Sequence, residues 1–403
     1  MFFKLTTLRD NKRLRTALLL GSLAALGPLT IDMYLPAFPT IASEYNTTAS
    51  LVQISLTASL LGIGIGQLVI GPMSDVIGRR KPLMIFLILY FLASLACAFA
   101  PTISIFIATR FIQGFSAAAG LVLSRAMVRD LYSGRELTKF FALIMLINNL
   151  APILAPIAGS GILRFTDWSG VFLVLSAIGI LLLLIVSFKL KETLSVEKRV
   201  PNNIGQTFRN FRSLIVNRTF AGYALTQSFM VAGIFAYVSG TPFVYQNIYE
   251  TTPQTFSLLF GMNGIGIMIG TQLVGRLSDR ISETRFIQIG LTMSSTASIF
   301  ILAAVLLHGP LISVVIPIFF FVASIGIIST SSFSLAMQEQ GHIAGSAAAL
   351  LGLLPFIMGS ISAPLVGIAG EDTAIPMGVT MFTASFLALT SYLLLVRRTQ
   401  KKL

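Results

Sequence analysis

The feature that most constrains this chain is a recurrence of apolar runs about 20 residues long, the length an α-helix needs to cross a hydrocarbon layer about 30 Å thick. Such runs lie at 16–38, 51–71, 82–100, 103–123, 140–163, 168–190, 219–243, 256–275, 286–307, 310–334, 344–369 and 374–396. In hydrocarbon every backbone N–H and C=O must bond within its own segment, so each run is expected to be helical. With 55% apolar and only 11% charged residues, the chain has little with which to face water. The expected fold class is an all-α polytopic membrane protein with twelve transmembrane helices. The first run follows a basic start but is long and contains Pro28, Asp32 and Pro36, so it reads as a retained span and not as a cleaved signal.

Charge then orients the spans. Lys4, Arg9, Lys12, Arg13 and Arg15 precede the first run. Arg79, Arg80 and Lys81 follow the second, Arg129, Arg135 and Lys139 follow the fourth, and Arg276, Arg280 and Arg285 follow the eighth. Arg397, Arg398, Lys401 and Lys402 close the chain, whereas the alternate loops contain only Arg164. Cytoplasmic loops are enriched in Lys and Arg, so both termini are expected in the cytoplasm of a cell whose plasma membrane holds the chain. The net charge of +13 is spread between the apolar runs, which excludes a nucleic-acid-binding patch. A single cysteine, Cys97, and two histidines leave no disulfide and no metal centre.

The longest polar interval, KETLSVEKRVPNNIGQTFRNFR from Lys191, falls near the midpoint. It divides the chain into an expected six-helix bundle over 1–190, a cytoplasmic linker over 191–218 and a second six-helix bundle over 219–403. A shift of 204 residues places Gly62, Ile63, Ile65, Gly66, Gly71, Ser74, Asp75 and Ile77 on Gly266, Ile267, Ile269, Gly270, Gly275, Ser278, Asp279 and Ile281. Duplicated halves typify secondary transporters, whose substrate site lies near mid-membrane between them. The GxxxG pairs in this register also let helices approach closely.

GPMSDVIGRRKPL from Gly71 resembles the signature loop of the major facilitator superfamily. ATRFIQGFSAAAG from Ala108 is similar to its second signature, and NNLAPILAPIAG from Asn148 to the proline-rich variant found in drug:proton antiporters. With LGPLTIDMYLPAFP from Leu26, the pattern most resembles the twelve-span exporters of the bicyclomycin and phenicol (chloramphenicol, florfenicol) resistance group. The resemblance implies two pseudo-symmetric six-helix bundles that work by alternating access. It also implies a gate at Gly71, Asp75, Gly78, Arg79 and Asp130, where the aspartate and arginine help latch the two halves. Asp279 is the repeat's counterpart of Asp75, but in GRLSDRISETR Ser282 replaces the usual glycine, and Glu283 and Thr284 replace basic residues. Pro152, Pro156 and Gly159 form the antiporter stretch, a bent helix with a small face.

An ionisable group within a span is by default functional, and the predicted spans contain two well inside, Asp32 and Arg110. Six residues from the end of the first span and seven from the start of the fourth, they share a depth about 10 Å below the outer edge. A carboxylate beside a guanidinium keeps its charge, and one left alone in an apolar cavity takes up a proton. Asp32 is therefore the expected proton carrier and Arg110 its tuner. Candidate substrate contacts are Tyr34, Gln113, Asn148, Tyr223, Gln227, Met230, Tyr237, Asn263 and Phe356, because aromatic, amide and Met side chains suit loosely specified, mostly apolar drug-like compounds.

The expected function is proton-coupled efflux of small antimicrobial compounds by a monomer without cofactors. Import of a small metabolite by a proton symporter or facilitator stays open, with the fifth-span prolines favouring export. No GxxxxGK[ST] loop and no catalytic triad are present, so neither ATP-driven pumping nor an enzyme is expected.

Overall fold

The structure is a computed structural model that describes residues 8–199, 204–338, 340 and 343–397. Lys4, Arg398, Lys401 and Lys402 lie outside the described residues. The helices are α1 (Leu8–Asp32), α2 (Phe38–Glu44), α3 (Ala49–Ile77), α4 (Arg80–Ala98), α5 (Ile103–Leu131), α6 (Gly134–Ile162), α7 (Ser169–Lys189), α8 (Ile204–Val216), α9 (Arg218–Phe243), α10 (Pro253–Leu277), α11 (Glu283–Leu306), α12 (Leu311–Met337), α13 (Ala344–Leu365) and α14 (Ile375–Ser391). Among the described residues eleven helical segments are long and apolar enough to span a membrane, and α6 adds the apolar stretch Leu146–Ile162. Side chains such as Ile85, Phe188, Phe300 and Phe386 are exposed on the outer faces, as a hydrocarbon solvent permits.

Two differences from the predicted spans bear on function. The first span is not one helix: α1 stops at Asp32, a short 3-10 turn covers Leu35–Ala37, and α2 resumes at Phe38. Pro36 and Pro39 lack the N–H that would continue the ladder. In the other case α5 runs on to Leu131, eight residues beyond the predicted end of the fourth span, and so carries Arg125 inside a helix.

Helix pairing repeats across the two parts of the chain. α3 packs on α5 as α10 packs on α12, α4 on α7 as α11 on α14, and α1 on α5 as α9 on α12. The two bundles meet along α3 with α13 and α6 with α10, again a reciprocal pair. We call the end that carries Arg79, Arg129 and Arg276 the basic end, and the opposite one the far end. Hydrogen bonds join the bundles at the far end, from Gln53 Nε2 to Ser239 O (3.1 Å), Thr57 Oγ1 to Ser360 O (3.2 Å) and Ser257 Oγ to Pro156 O (2.9 Å).

The repeated glycines explain the tight pairs. A Cβ on Gly66 would lie 2.6 Å from Phe115 O, and one on its counterpart Gly270 would lie 2.3 Å from Ala323 O, so the backbones touch where only hydrogen fits. At Gly275 an added carbon meets nothing within 4 Å. Gly270→Val and Gly66→Val are each expected to cost about 1–3 kcal/mol or more by overpacking and to lower the melting temperature of the detergent-purified protein, whereas Gly275→Val leaves it unchanged. Equal melting temperatures for all three variants would refute this account of the crossings.

Candidate functional site

Between the two bundles lies a cavity of about 390 Å³, lined by α1, α3, α5 and α6 on one side and by α9, α10, α12 and α13 on the other. Its walls are mainly apolar, with Ile31, Val231, Phe235, Phe260, Ile267 and Phe356 prominent. That volume and character suit a small organic molecule.

Two opposite charges enter this space. Asp32, the last residue of α1, is buried and lines the cavity just before the proline bend. Its carboxylate makes no hydrogen bond and no ion pair among the described residues. Arg125 lines the same cavity from α5, is exposed into it, and likewise has no such partner among the described residues. Around them stand four amides. Asn263 Nδ2 donates to the Tyr237 hydroxyl at 2.8 Å, and the Tyr237 ring stacks on Phe260 at 5.1 Å. Gln67 Nε2, Asn148 Oδ1, Gln227 Oε1 and Asn263 Oδ1 are buried without a hydrogen-bond partner. Buried polar atoms are rarely left so, and four of them line this cavity.

Arg110 lies elsewhere. It is fully buried, does not line the cavity and forms no ion pair with Asp32 among the described residues. The expectation that the two meet in a common cavity is therefore corrected. Arg110 Nη2 donates to Thr30 O at 2.9 Å, Nη1 donates to Gln113 Oε1, and the guanidinium carbon sits 4.1 Å from the Tyr34 ring centroid and 5.5 Å from that of Phe172. A carbonyl, an amide oxygen and two aromatic faces disperse its charge. What Arg110 does hold is the backbone two residues before Asp32.

The candidate contacts divide accordingly. Asn148, Gln227, Tyr237, Asn263 and Phe356 line the cavity. Tyr34 and Gln113 do not: the bend after Asp32 turns Tyr34 beneath Arg110, with its hydroxyl 3.1 Å from Ser55 Oγ, and Gln113 Nε2 donates to Ser94 Oγ at 2.8 Å. Tyr223 and Met230 are packed in the hydrophobic core of the second bundle. Pro152 lines the cavity, Pro156 O accepts the Ser257 bond that joins the bundles, and a Cβ on Gly159 would overlap Met33 O, so α6 lies directly against the bend that follows Asp32. Arg125 escaped sequence reading because the predicted span ended too early. It lies four residues beyond Leu121, about one helical turn further along the cavity-lining face of α5, and that spacing was the available signal.

At the basic end a second constellation forms within the first bundle. Arg79 pairs with Asp75 at 2.6 Å and with Asp130 at 2.9 Å, and its Nη1 donates to Ser74 Oγ at 2.7 Å. Gly78, at φ 104°, closes α3 with its N–H on Ser74 O, while Gly71 stands in ordinary contact with Val122. Glu192, unforeseen from sequence, accepts from the backbone N–H groups of Arg79 (2.8 Å) and Arg80 (3.1 Å) at the start of α4. Thr193 Oγ1 adds a bond to Asp130 at 3.2 Å. Burial works to raise the Glu192 carboxyl, but N–H donors from Arg79, Leu194, Arg80 and Thr193 outweigh it and hold the group below the usual glutamate range. Asp279, the repeat position, is exposed and forms no ion pair among the described residues.

Residues 20–363 match the model of the Major Facilitator Superfamily. The chain is 53% identical over 377 residues to the uncharacterized MFS-type transporter YdgK of Bacillus subtilis, covering 93% of this chain and 94% of that one. It is 33% identical over 384 residues to a bicyclomycin resistance protein homolog of Haemophilus influenzae, covering 95% and 96%. To a chloramphenicol resistance protein of Pseudomonas aeruginosa it is 27% identical, covering 93% and 89%. In fold it is similar to a bacterial homolog of the human lysosomal transporter Spinster in an inward-facing, unoccupied conformation, with a TM-score of 0.74 at 13% identity over 96% of both chains. A D-xylose-proton symporter gives 0.71 at 17% identity, covering 93% and 96%. The sequence match and the paired-bundle architecture lead to one conclusion: this chain belongs to the major facilitator superfamily and is a transporter, not an enzyme.

Proposed function

We propose that the protein exports small drug-like compounds from the cytoplasm in exchange for protons, with Asp32 as the proton carrier. The observation that carries this reading is the Asp32 carboxylate, which faces the cavity between the bundles with no partner among the described residues. A group so placed can bind a proton or a substrate, and mutual exclusion of the two is what exchange requires. The likeness to resistance proteins supports export, and the proline stretch of α6 at the bundle interface supports a tight seal between proton and substrate fluxes. The basic end lies in the cytoplasm by the positive-inside rule, which puts both termini there and the joined far end outside. Residues 1–190 and 219–403 then form the two moving halves, and residues 191–218 the tether between them.

In this cycle each proton that enters contributes about 2.3 kcal/mol per 100 mV of membrane potential. Arg110 acts as a positioning residue. Its bond to Thr30 O and its stacking on Tyr34 fix the end of α1, and so the direction in which the carboxylate points. The Arg79, Asp75 and Asp130 cluster is the gate at the cytoplasmic face, braced by Glu192.

In proteoliposomes at saturating substrate with an imposed pH gradient, Asp32→Asn should reduce proton-driven substrate uptake about tenfold or more while gradient-free substrate exchange persists, since the proton carrier and not the cavity has been removed. Unchanged uptake by that variant would remove Asp32 from the role. At the gate, Arg79→Lys keeps the charge but loses the three-way contact, and is expected to slow turnover several-fold at unchanged substrate affinity. A parallel loss of affinity, measured by equilibrium binding, would contradict a pure gating role.

A further inference from the structure

The cavity presents two unsatisfied charges of opposite sign, and the carrier role uses only one of them. Arg125 is permanently charged and lies in a largely apolar space, where an uncompensated cation costs several kcal/mol. No carboxylate reaches it among the described residues. Its separation from Asp32 follows from the packing. Gly27 of α1 abuts Leu121 of α5, since a Cβ on Gly27 would lie 2.6 Å from Leu121 Cδ1. Asp32 is five residues along α1 from that contact and Arg125 four residues along α5 on the opposite side. At 1.5 Å per residue they sit roughly 7 and 6 Å to either side of it. The two charges therefore bracket the cavity instead of pairing across it.

Three of the four amides fall into the same two groups, and Asn148 lies midway along α6. Asn263 and Tyr237 lie in the far-end parts of α10 and α9, beside Asp32, whereas Gln67 and Gln227 lie in the basic-end parts of α3 and α9, beside Arg125. Between the poles stand Phe235, Phe260, Ile267 and Phe356.

We infer that the transported compounds are elongated amphipathic zwitterions, with an oxyanion bound at Arg125, a protonated amine at Asp32 and an apolar body along the aromatic wall. This rests on the proposed reading of the cavity as the transport site and narrows its substrate class. It also supplies a chemical basis for exchange, because an ammonium group and a proton are alternative neutralisers of the same Asp32 carboxylate, so that protonation leaves the substrate held by Arg125 alone. Purely apolar compounds would leave the guanidinium and the four amide atoms unmatched.

The test is equilibrium binding to the full-length protein in detergent at pH 7, with no gradient, using three rod-shaped probes of one size. They are 4′-(aminomethyl)biphenyl-4-carboxylate, its carboxamide, which retains only the amine charge, and 4′-(hydroxymethyl)biphenyl-4-carboxylate, which retains only the anion. The zwitterion should bind about tenfold tighter than either single-charge probe, a difference of about 1.4 kcal/mol. Arg125→Gln should erase the preference for carboxylate over carboxamide and leave the preference for amine over alcohol, and Asp32→Asn should do the reverse. Arg125→Lys should keep part of the carboxylate preference, which separates loss of charge from loss of fold. A zwitterion that binds no tighter than the singly charged probes, an absence of measurable binding, or a carboxylate preference that survives Arg125→Gln would each overturn the inference. Since no proton gradient is applied, such a failure is distinct from failure of proton coupling, which the Asp32→Asn flux measurement reads separately.

Discussion

In hydrocarbon a charge must be caged by other groups or kept wet, and the placement of each ionisable side chain in this structure follows from that choice. Arg110 is caged: two aromatic faces, a carbonyl and an amide oxygen take the place of water. Arg79 is paired, with two carboxylates and a serine hydroxyl. Among the described residues Asp32 and Arg125 are neither caged nor paired, and both line the cavity between the bundles. The division separates charges that the protein itself solvates from those left open to the cavity. A caged guanidinium is solvated by fixed neutral groups and is suited to holding a backbone in place. A wet, unpaired group is free to change its partner.

Much of this architecture was legible in the chain because hydrophobic run length and loop charge act over whole segments. The helices, their alternation and the close crossings at Gly66 and Gly270 all follow from such long-range or strongly constrained signals. The site was only partly legible. Asn148, Gln227, Tyr237, Asn263 and Phe356 were chosen for chemical type, and they line the cavity. Tyr34, Gln113, Tyr223 and Met230 were chosen on the same grounds and do not, because residue type does not report which way a helix is rotated about its axis. Tyr34 also depended on the bend at 33–37, which displaces every later residue from the face that straight-helix arithmetic assigns. Arg125 was lost for a simpler reason: hydropathy marks where hydrocarbon ends, whereas α5 continues as a helix beyond that point.

Duplication accounts for the frame but not for the gate. The helix pairings recur in both bundles, yet the turn after α3 and the turn after α10 have diverged in the bonds they make. In the first, Gly78 adopts a backbone conformation that favours glycine, and Arg79 gathers Asp75 and Asp130. In the second, Ser282 caps α11 through the N–H of Arg285, and Glu283 accepts from Ser334 Oγ at 2.6 Å and from Gln338 Nε2 at 3.1 Å. An acid has taken the place of the base, so the repeat binds α11 to α12 where the original binds α3 to α5. Among the described residues the ion pairs at the basic end thus lie in one half, as does the acid of the cavity.

That asymmetry gives the bend beside Asp32 a mechanical meaning. The segment is gripped from two directions by the first bundle: Arg110 of α5 holds Thr30 O, and the bare backbone of Gly159 on α6 lies against Met33 O. The same α6 is the helix that meets the second bundle, where Pro156 O accepts from Ser257 and Ile153 fills the space over Gly264. On the proposed reading, rocking of one bundle against the other acts directly on α6, one of the two first-bundle helices at the interface, and α6 touches the residue that follows Asp32. Gly159 permits no intervening side chain to absorb the displacement, and the prolines one and two turns before it weaken the helical ladder that would otherwise keep α6 straight. A movement at the interface therefore reaches the backbone at Asp32 through the α6 contact, alongside the direct contacts that the bend makes with α9 and α10. On the proposed reading, this contact couples the exposure of the carboxylate to the opening of the bundles.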